Sequence, residues 1–296
     1  MMFFLFILKK KGVYMSFIEK SYEKHSLHNC DNLPDFMVSN KLSPNDSHVR
    51  ELKNITPLIK QFKEAKWLTV GDGRYGCDAY LLNTLGASSI TATDINTYTL
   101  EIAKEKGFIK QYSCENVEKM SFIDNEFDFT VCKHTYHHFP RPAIAFYEML
   151  RVSSKGIVFV EPIEESVKLF DRLKYFIKSV LRNDKNYLYE VSGNFVYRLS
   201  IREIEKMMTA LDYDLIAFKK YNSFFFPGFP SCFKILNKPF FIAGILIQNI
   251  LCHLKLMSWG TGIIICIKED KDNSISHNLK HNGYKVIKLT KNPYSN

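Results

Sequence analysis

The sequence predicts an α/β fold built on a mostly parallel sheet, and three observations carry that expectation. Strand-length apolar stretches alternate with helical periods from Trp67 to Val160. Three glycines, Gly71, Gly73 and Gly76, follow the first of those strands. Of 296 residues, 46% are hydrophobic and 24% charged, which suits one large core.

The elements follow in order. The opening run MMFFLFILKKKGVYMSF places its apolar residues ahead of its lysines, is too short to span a bilayer and lacks a small-residue cleavage site. Lys11-Gly12-Val13 can be encoded by a purine-rich ribosome-binding sequence, so the native chain is expected to begin at Met15, with 1–14 a mis-assigned start. Residues 1–45 otherwise read as an N-terminal arm containing Pro34 and Pro44. Leu52, Ile55, Ile59 and Phe62 recur at helical spacing after Ser47, the expected N-cap. A strand over Trp67–Val70 leads through the glycine turn into a helix over 78–85, closed by Gly86. The next strand, Ser89–Thr93, ends at Asp94, and a helix from Thr97 to Lys106 is closed by Gly107. A short strand at Ile109–Tyr112 and a loop over 113–127 precede a strand at Asp128–Cys132. A helix entered through Pro142 and a strand at Ile157–Val160 complete a βαβαβαβ order, hence a parallel sheet.

After Glu161-Pro162 the rhythm changes. Ile163, Val167, Phe170, Leu173, Ile177 and Val180 line one face of an expected helix over 163–182. Ser200 and Glu203 have capping-box spacing ahead of the next helix. Residues 213–221 and the stretch GIIICIKED read as strands. Between them, from Leu246 onward, Ile247, Ile250, Leu254 and Met257 oppose Gln248, Asn249, His253 and Lys255. That segment is either a cover helix packed on the domain, or an interfacial helix giving peripheral membrane contact through 224–257 or admitting a lipophilic acceptor. One domain is therefore expected over 46–270, with insertions at 163–198 and 222–258. Residues 271–296 read as a basic, flexible tail, because Lys280, Lys285, Lys288 and Lys291 follow Asp272 with no acidic residue after it.

Composition narrows the function classes. Forty Lys+Arg against 31 Asp+Glu leave a net charge of +9, yet no basic stripe interleaved with aromatics suggests a nucleic-acid partner. The seven cysteines are scattered, with no C-x-x-C, which points to a reducing, cytoplasmic setting without a disulfide framework. His134, His137 and His138 lack a companion carboxylate or distant ligand in sequence, so no metal is expected.

Gly71, Gly73 and Gly76 satisfy G-x-G-x-x-G, and Asp94 lies at a spacing that suits a ribose. The turn can cradle the pyrophosphate of a dinucleotide, or pass beneath the amino-acid and ribose portions of S-adenosylmethionine (SAM). The stretch CENVEKMSFIDNEFDFTVCKHTYHHFPRPAIAFYEMLRVSSKGIVFVEP, residues 114–162, decides between them. Its Glu115–Phe122 segment, Phe127-Asp128, the strand Phe129–Cys132, His137-His138, the helix Ala143–Val152 and the Lys155-Gly156 turn together resemble the class I SAM-dependent methyltransferases. Within that class they resemble most the methyltransferase domain family that includes ubiquinone and menaquinone biosynthesis enzymes.

The resemblance implies a Rossmann-like, seven-stranded, mostly parallel sheet ending in an antiparallel hairpin, with helices on both faces. It implies SAM as cofactor, with Gly71, Gly73 and Gly76 on the methionine side, Asp94 on the ribose, Ile95 against adenine, and Asn116 and Val117 at the adenine edge. Two positions depart from the family. Thr69 stands where an acidic residue usually holds the amino group of SAM, which leaves Asp72 or Asp78 to compensate, and Asn116 replaces the usual adenine-edge aspartate. Lys133, at the end of the fourth strand, also falls at the cofactor.

The acceptor is expected to be a small molecule, lipophilic or a saccharide intermediate. No Asp/Asn-Pro-Pro-aromatic tetrapeptide and no Pro-Cys pair points to a nucleic acid. The turn KHTYHHFPRP lies where the carboxyl edge of the sheet opens. His137, His138 and Lys133 are its candidates for catalysis, while His134 and Glu161 are candidates for acceptor contact. Tyr189, Glu190, Asn194, Tyr197 and Arg198, beside Gly193, have the composition of a lid over the acceptor. A SAM-binding protein without transferase activity and a NAD-dependent oxidoreductase are the competing readings.

Overall fold

Alternation of apolar side chains sets the architecture. In the computed structural model, which describes residues 17–27, 47–165, 168–173, 189, 194–222 and 238–294, eight strands form one sheet in the order β3-β2-β1-β4-β5-β7-β6-β8. They are β1 (Lys66–Val70), β2 (Ser89–Asp94), β3 (Gln111–Cys114), β4 (Phe127–Lys133), β5 (Ser153–Pro162), β6 (Leu215–Tyr221), β7 (Thr261–Ile267) and β8 (Lys285–Lys288). Strands β1 to β5 pair in parallel, and β7 runs antiparallel between β5 and β6.

Successive strand residues point to opposite faces, so each strand feeds two cores. Trp67, Phe129, Val131, Val158, Ile263 and Ile265 face one core. Leu68, Cys132, Ile157, Phe159, Ile264 and Cys266 face the other. The first is covered by α2 (Ser47–Lys53), α3 (Thr56–Gln61), α4 (Cys77–Thr84) and α5 (Tyr98–Glu105) through Leu52, Leu58, Leu82 and Leu100. The second is covered by α6 (Pro142–Val152) and α7 (Ile201–Ala210) through Phe146, Met149, Ile204 and Met208. α1 (Phe17–Ser26) precedes them all. The chain leaves β1 toward β2 on one side and returns to β4 on the other, so the crevice at the carboxyl ends of β1 and β4 is the switch point where ligands enter such sheets.

Several expectations are corrected. The sheet has eight strands rather than seven, because the tail expected to be flexible folds as α9 (Ser274–His281) and β8, and β8 pairs with β6. Leu279 and Tyr284 of that tail are buried, so its lysines merely decorate an element that completes the core. The helix expected from Ser47 to Phe62 is two helices, with the break at Asn54–Ile55 ahead of Pro57. The strand expected at Ile109–Tyr112 lies at Gln111–Cys114, and Ile109 is instead buried against Gly76.

The helix expected from Ile163 is replaced at its start by extended chain. Ile163 bridges Leu199, and helical turns cover only 169–173 of the described part. Ser200 caps α7 without a side-chain bond, so the capping box does not form. Glu203 turns to the Tyr197 hydroxyl, whose pKa rises to about 12 through burial and that carboxylate. Among the described residues no helix is long and apolar enough to cross a membrane.

Candidate active site

The glycine turn is built by sterics. Gly71 and Gly76 sit at φ 68° and 61°, a region that penalises a side chain. A Cβ on Gly73 would lie 2.7 Å from the Asp94 carboxylate, so the turn runs directly beside the tip of β2. A Cβ on Gly71 would strike the Thr135 methyl at 2.1 Å. Thr135 thus faces the turn across the switch point, and its hydroxyl donates to the Gly71 carbonyl at 3.2 Å. Backbone, rather than side chain, borders the crevice here, as a ligand that needs close approach requires.

Thr69 and Asp72 behave as a pair. The buried Thr69 hydroxyl donates to Asp72 at 2.9 Å, and the Asp72 carboxylate accepts from the backbone N–H groups of Asp78 and Ala79 at 3.0 and 2.9 Å. Asp72 therefore serves the first turn of α4, whose free N–H groups need acceptors. Burial and the nearby Asp78 carboxylate hold its pKa well above the usual range. The Asp72 carboxyl is thus engaged with the first turn of α4 and with the hydroxyl that stands at Thr69 in place of an acidic group.

Asp94 accepts from the Asn96 amide at 2.9 Å. The Asn96 side chain reaches the Ser26 carbonyl at 2.8 Å, which ties the end of α1 beside the expected ribose position. Ile95 is half-buried just beyond β2. Asn116 folds its side-chain oxygen onto the Glu118 amide at 3.0 Å, and Val117 packs on the α6 side of the core. Glu118 binds the Arg141 backbone and side chain at 2.8 and 2.5 Å and accepts from the Tyr22 hydroxyl. α1 is therefore fastened across the loop expected at the adenine edge, by contacts that no local pattern in the sequence announces.

The end of β4 carries two buried charge systems. In the first, Lys133 lies 3.3 Å from Asp78 and 3.9 Å from Glu51, and it also contacts His48. Burial pulls the ammonium pKa down, but the two carboxylates outweigh it and hold the value above that of an ordinary lysine. Lys133 is thus a cation with no basic lone pair, which argues against the role of proton acceptor. Burial first, and Lys133 second, push the His48 pKa down. His134 adopts φ 52° and binds Glu51 at 2.7 Å. Lys133→Met is expected to cost about 3–5 kcal/mol of stability, because Asp78 and Glu51 would be left buried without their cation. Denaturant unfolding measures this, and a change below about 1 kcal/mol would contradict it.

In the second system, the left-handed His134 turns the chain so that Thr135 and Tyr136 donate backbone N–H bonds of 2.6 and 2.8 Å to one oxygen of Glu161. The other oxygen faces His137 Nδ1 at 2.7 Å. A carboxylate only accepts, so Nδ1 carries the hydrogen and Nε2 is the basic nitrogen. Glu161 is 1% exposed and the His137 ring 14%. The His138 ring lies 4.1 Å from that of His137 and 5.8 Å from that of His25. Burial and Glu161 raise the Cys132 thiol well above its usual pKa, leaving it inert.

Of the expected lid residues, Asn194 is buried within 3.4 Å of His25, and the Tyr197 amide donates to the His137 carbonyl at 3.4 Å. Tyr189 and Arg198 are exposed instead, and Glu190 lies outside the described residues. The turn thus gathers His134, His137, His138, Glu161, Asn194 and Tyr197. Thr135 joins from the same turn, and Glu51, His25 and Tyr22 join from segments that carried no such signal.

Residues 68–160 match the methyltransferase domain family. The chain carries a methyltransferase domain, whose activity is methyl transfer from SAM. Its cofactor is SAM, and the NAD reading falls away. The glycine turn fits that ligand, since a side chain at Gly73 would fill the space beside Asp94.

Solved structures agree on the fold. The methyltransferase resembles a Galdieria sulphuraria protein, provisionally assigned as a sarcosine dimethylglycine methyltransferase, at 16% identity and TM-score 0.50, over 75% of this chain and 85% of that one. SAM-dependent methyltransferases from Archaeoglobus fulgidus (12% identity, TM-score 0.48, 76% and 95% coverage) and Methanosarcina mazei (16%, 0.45, 72% and 97%) are more distant in shape and add nothing to that argument. A search of curated proteins returns no match.

Proposed function

We propose that the methyltransferase transfers the methyl group of SAM to an oxygen of a small-molecule acceptor, a lipophilic hydroxy compound or a saccharide intermediate, with His137 as general base. The observation that carries this reading is the His137–Glu161 contact of 2.7 Å beside the β1/β4 crevice. An oxygen acceptor must lose its proton as it attacks, whereas a neutral amine can attack first and deprotonate later. A buried carboxylate that fixes the imidazole tautomer supplies that need.

When bound, SAM supplies a methyl carbon on a positively charged sulfur. Asp94 would accept hydrogen bonds from its ribose hydroxyls, and the backbone from Gly71 to Gly76 would pass beneath the amino-acid portion. His137 Nε2 accepts the acceptor's proton while Glu161 stabilises the resulting imidazolium. The new O–C bond forms as the C–S bond breaks, and its electron pair stays on sulfur. Alignment of the three reacting atoms supplies up to roughly 7–11 kcal/mol, so the base contributes a smaller share.

The reading is tested by offering methyl-labelled SAM with a panel of phenols, alcohols and sugars beside matched amines and thiols. Methyl ethers among the products, identified by mass spectrometry, are expected. Transfer confined to nitrogen or sulfur would overturn it.

A further inference from the structure

In the helix α8 (Lys238–His253), the described side chains from Ala243 onward are turned inside out. The buried positions among them, Gly244, Gln248 and Cys252, recur every four residues and are small or polar. Asn249 and Cys252 are held by the Asn222 side chain at 2.9 and 3.5 Å. The opposite stripe is apolar and exposed: Leu246 56%, Ile247 58%, Ile250 57% and Leu254 62%. Those spacings place the four side chains on one face. A cover helix would bury this stripe, so that expectation is corrected.

The segment 168–173 extends the face. Asp171 is buried and binds the Ser258 amide and hydroxyl at 3.1 and 2.7 Å, and the Phe170 amide donates to the Leu256 carbonyl at 3.1 Å. This docking sets the exposed Leu169, Phe170 and Leu173 close to the end of α8. Exposed cations adjoin the patch, and Glu165, the carboxylate of the neighbouring cleft, is already paired with Lys220. From Asn222 to Ile267 the sequence contains no aspartate or glutamate. Arg172 and Lys255 are exposed. A cleft of about 450 Å³ opens beside the stripe, bordered by Lys168, His253, Lys255 and Trp259 and by the Lys220–Glu165 pair.

We infer that α8 and 168–173 form a docking face for an anionic phospholipid surface, with the apolar stripe dipping into the bilayer boundary and the cations meeting headgroup phosphates. Exposed apolar side chains rimmed by lysine and arginine fit that partner. A second copy of the chain fits less well, since pairing two such faces would bring like charges together with no exposed carboxylate on α8 to offset them. At 16 residues α8 is shorter than the roughly 20 that a spanning helix needs, so it lies on the surface. The inference is independent of which atom accepts the methyl group.

The test is flotation of the full chain with vesicles of phosphatidylcholine alone or enriched in phosphatidylglycerol. Wild type is expected to float with the anionic vesicles and to be released by salt. Ile247→Glu/Ile250→Glu should lower partitioning by about tenfold or more. Lys168→Gln/Lys255→Gln should lower it by roughly twenty-five-fold, about fivefold per lysine. Both variants alter exposed or rim positions, so unchanged melting and unchanged binding of S-adenosylhomocysteine verify folding. Absence of wild-type flotation overturns the inference, as does equal flotation of the Ile247→Glu/Ile250→Glu variant. So does a dimer that this variant dissolves while no vesicle binding is seen.

Discussion

Asp94→Ala is expected to weaken binding of SAM and of S-adenosylhomocysteine by at least about 100-fold. Each ribose hydroxyl that donates to a carboxylate contributes roughly 1.5–3 kcal/mol, and two such bonds sum to at least about 3 kcal/mol. Because the Asp94 side chain also accepts from the Asn96 amide in the turn, fold stability is followed beside the affinity. Isothermal titration with S-adenosylhomocysteine measures the affinity, and thermal melting checks the fold. Asp94→Asn keeps one acceptor oxygen but no charge, so its loss should fall between wild type and alanine. A drop below about threefold for Asp94→Ala, with melting unchanged, would move the ribose site away from β2.

His137→Gln should lower kcat by about 10²–10⁴-fold while leaving the affinity for S-adenosylhomocysteine within a factor of about two. The split matters, since a merely structural role for His137 would disturb binding and stability together. The wild-type rate should fall as pH is lowered, because protonated imidazole has no lone pair to take the acceptor's proton. In the variant that acidic limb should vanish, because glutamine does not titrate. A variant that retains the limb, or that keeps more than about a third of wild-type kcat, would remove His137 from the chemistry. Catalysis would then rest on alignment alone.

The parts of this protein that were legible in its sequence are those set within one or two turns of chain. Gly71, Gly73 and Gly76 mark the turn because only small residues fit beneath Thr135 and beside Asp94. Pro142 opens α6, and Gly86 and Gly107 end α4 and α5 at positive φ, as their local chemistry requires. The His137-His138 turn was visible as a resemblance, but the partner of His137 was not. Glu161 reaches it from β5, a separation of 24 residues that only the parallel pairing of β4 and β5 closes.

The Lys133 cluster shows the same limit more sharply. Read along the chain, Lys133 is a lysine at a strand end. In three dimensions Glu51, from α2, and Asp78, from α4, meet it in the interior and fix it as a cation. Likewise Asp72, named along the chain only as a group to compensate for Thr69, also accepts from the first turn of α4. Charge counting also misread the C-terminus, because Leu279 and Tyr284 outweigh four surface lysines once β6 offers an edge to pair with.

By itself, then, the sequence determined the alternation of strands and helices, the glycine turn and the aspartate at the tip of β2, because each follows from side-chain period and backbone sterics over a few residues. Tertiary structure alone decided which carboxylate orients His137, which charges neutralise Lys133, and which face of α8 looks outward. Those outcomes depend on burial and on charge pairs assembled from distant segments, and hydrophobic periodicity shows that a helix has two faces without showing which one the rest of the molecule will cover.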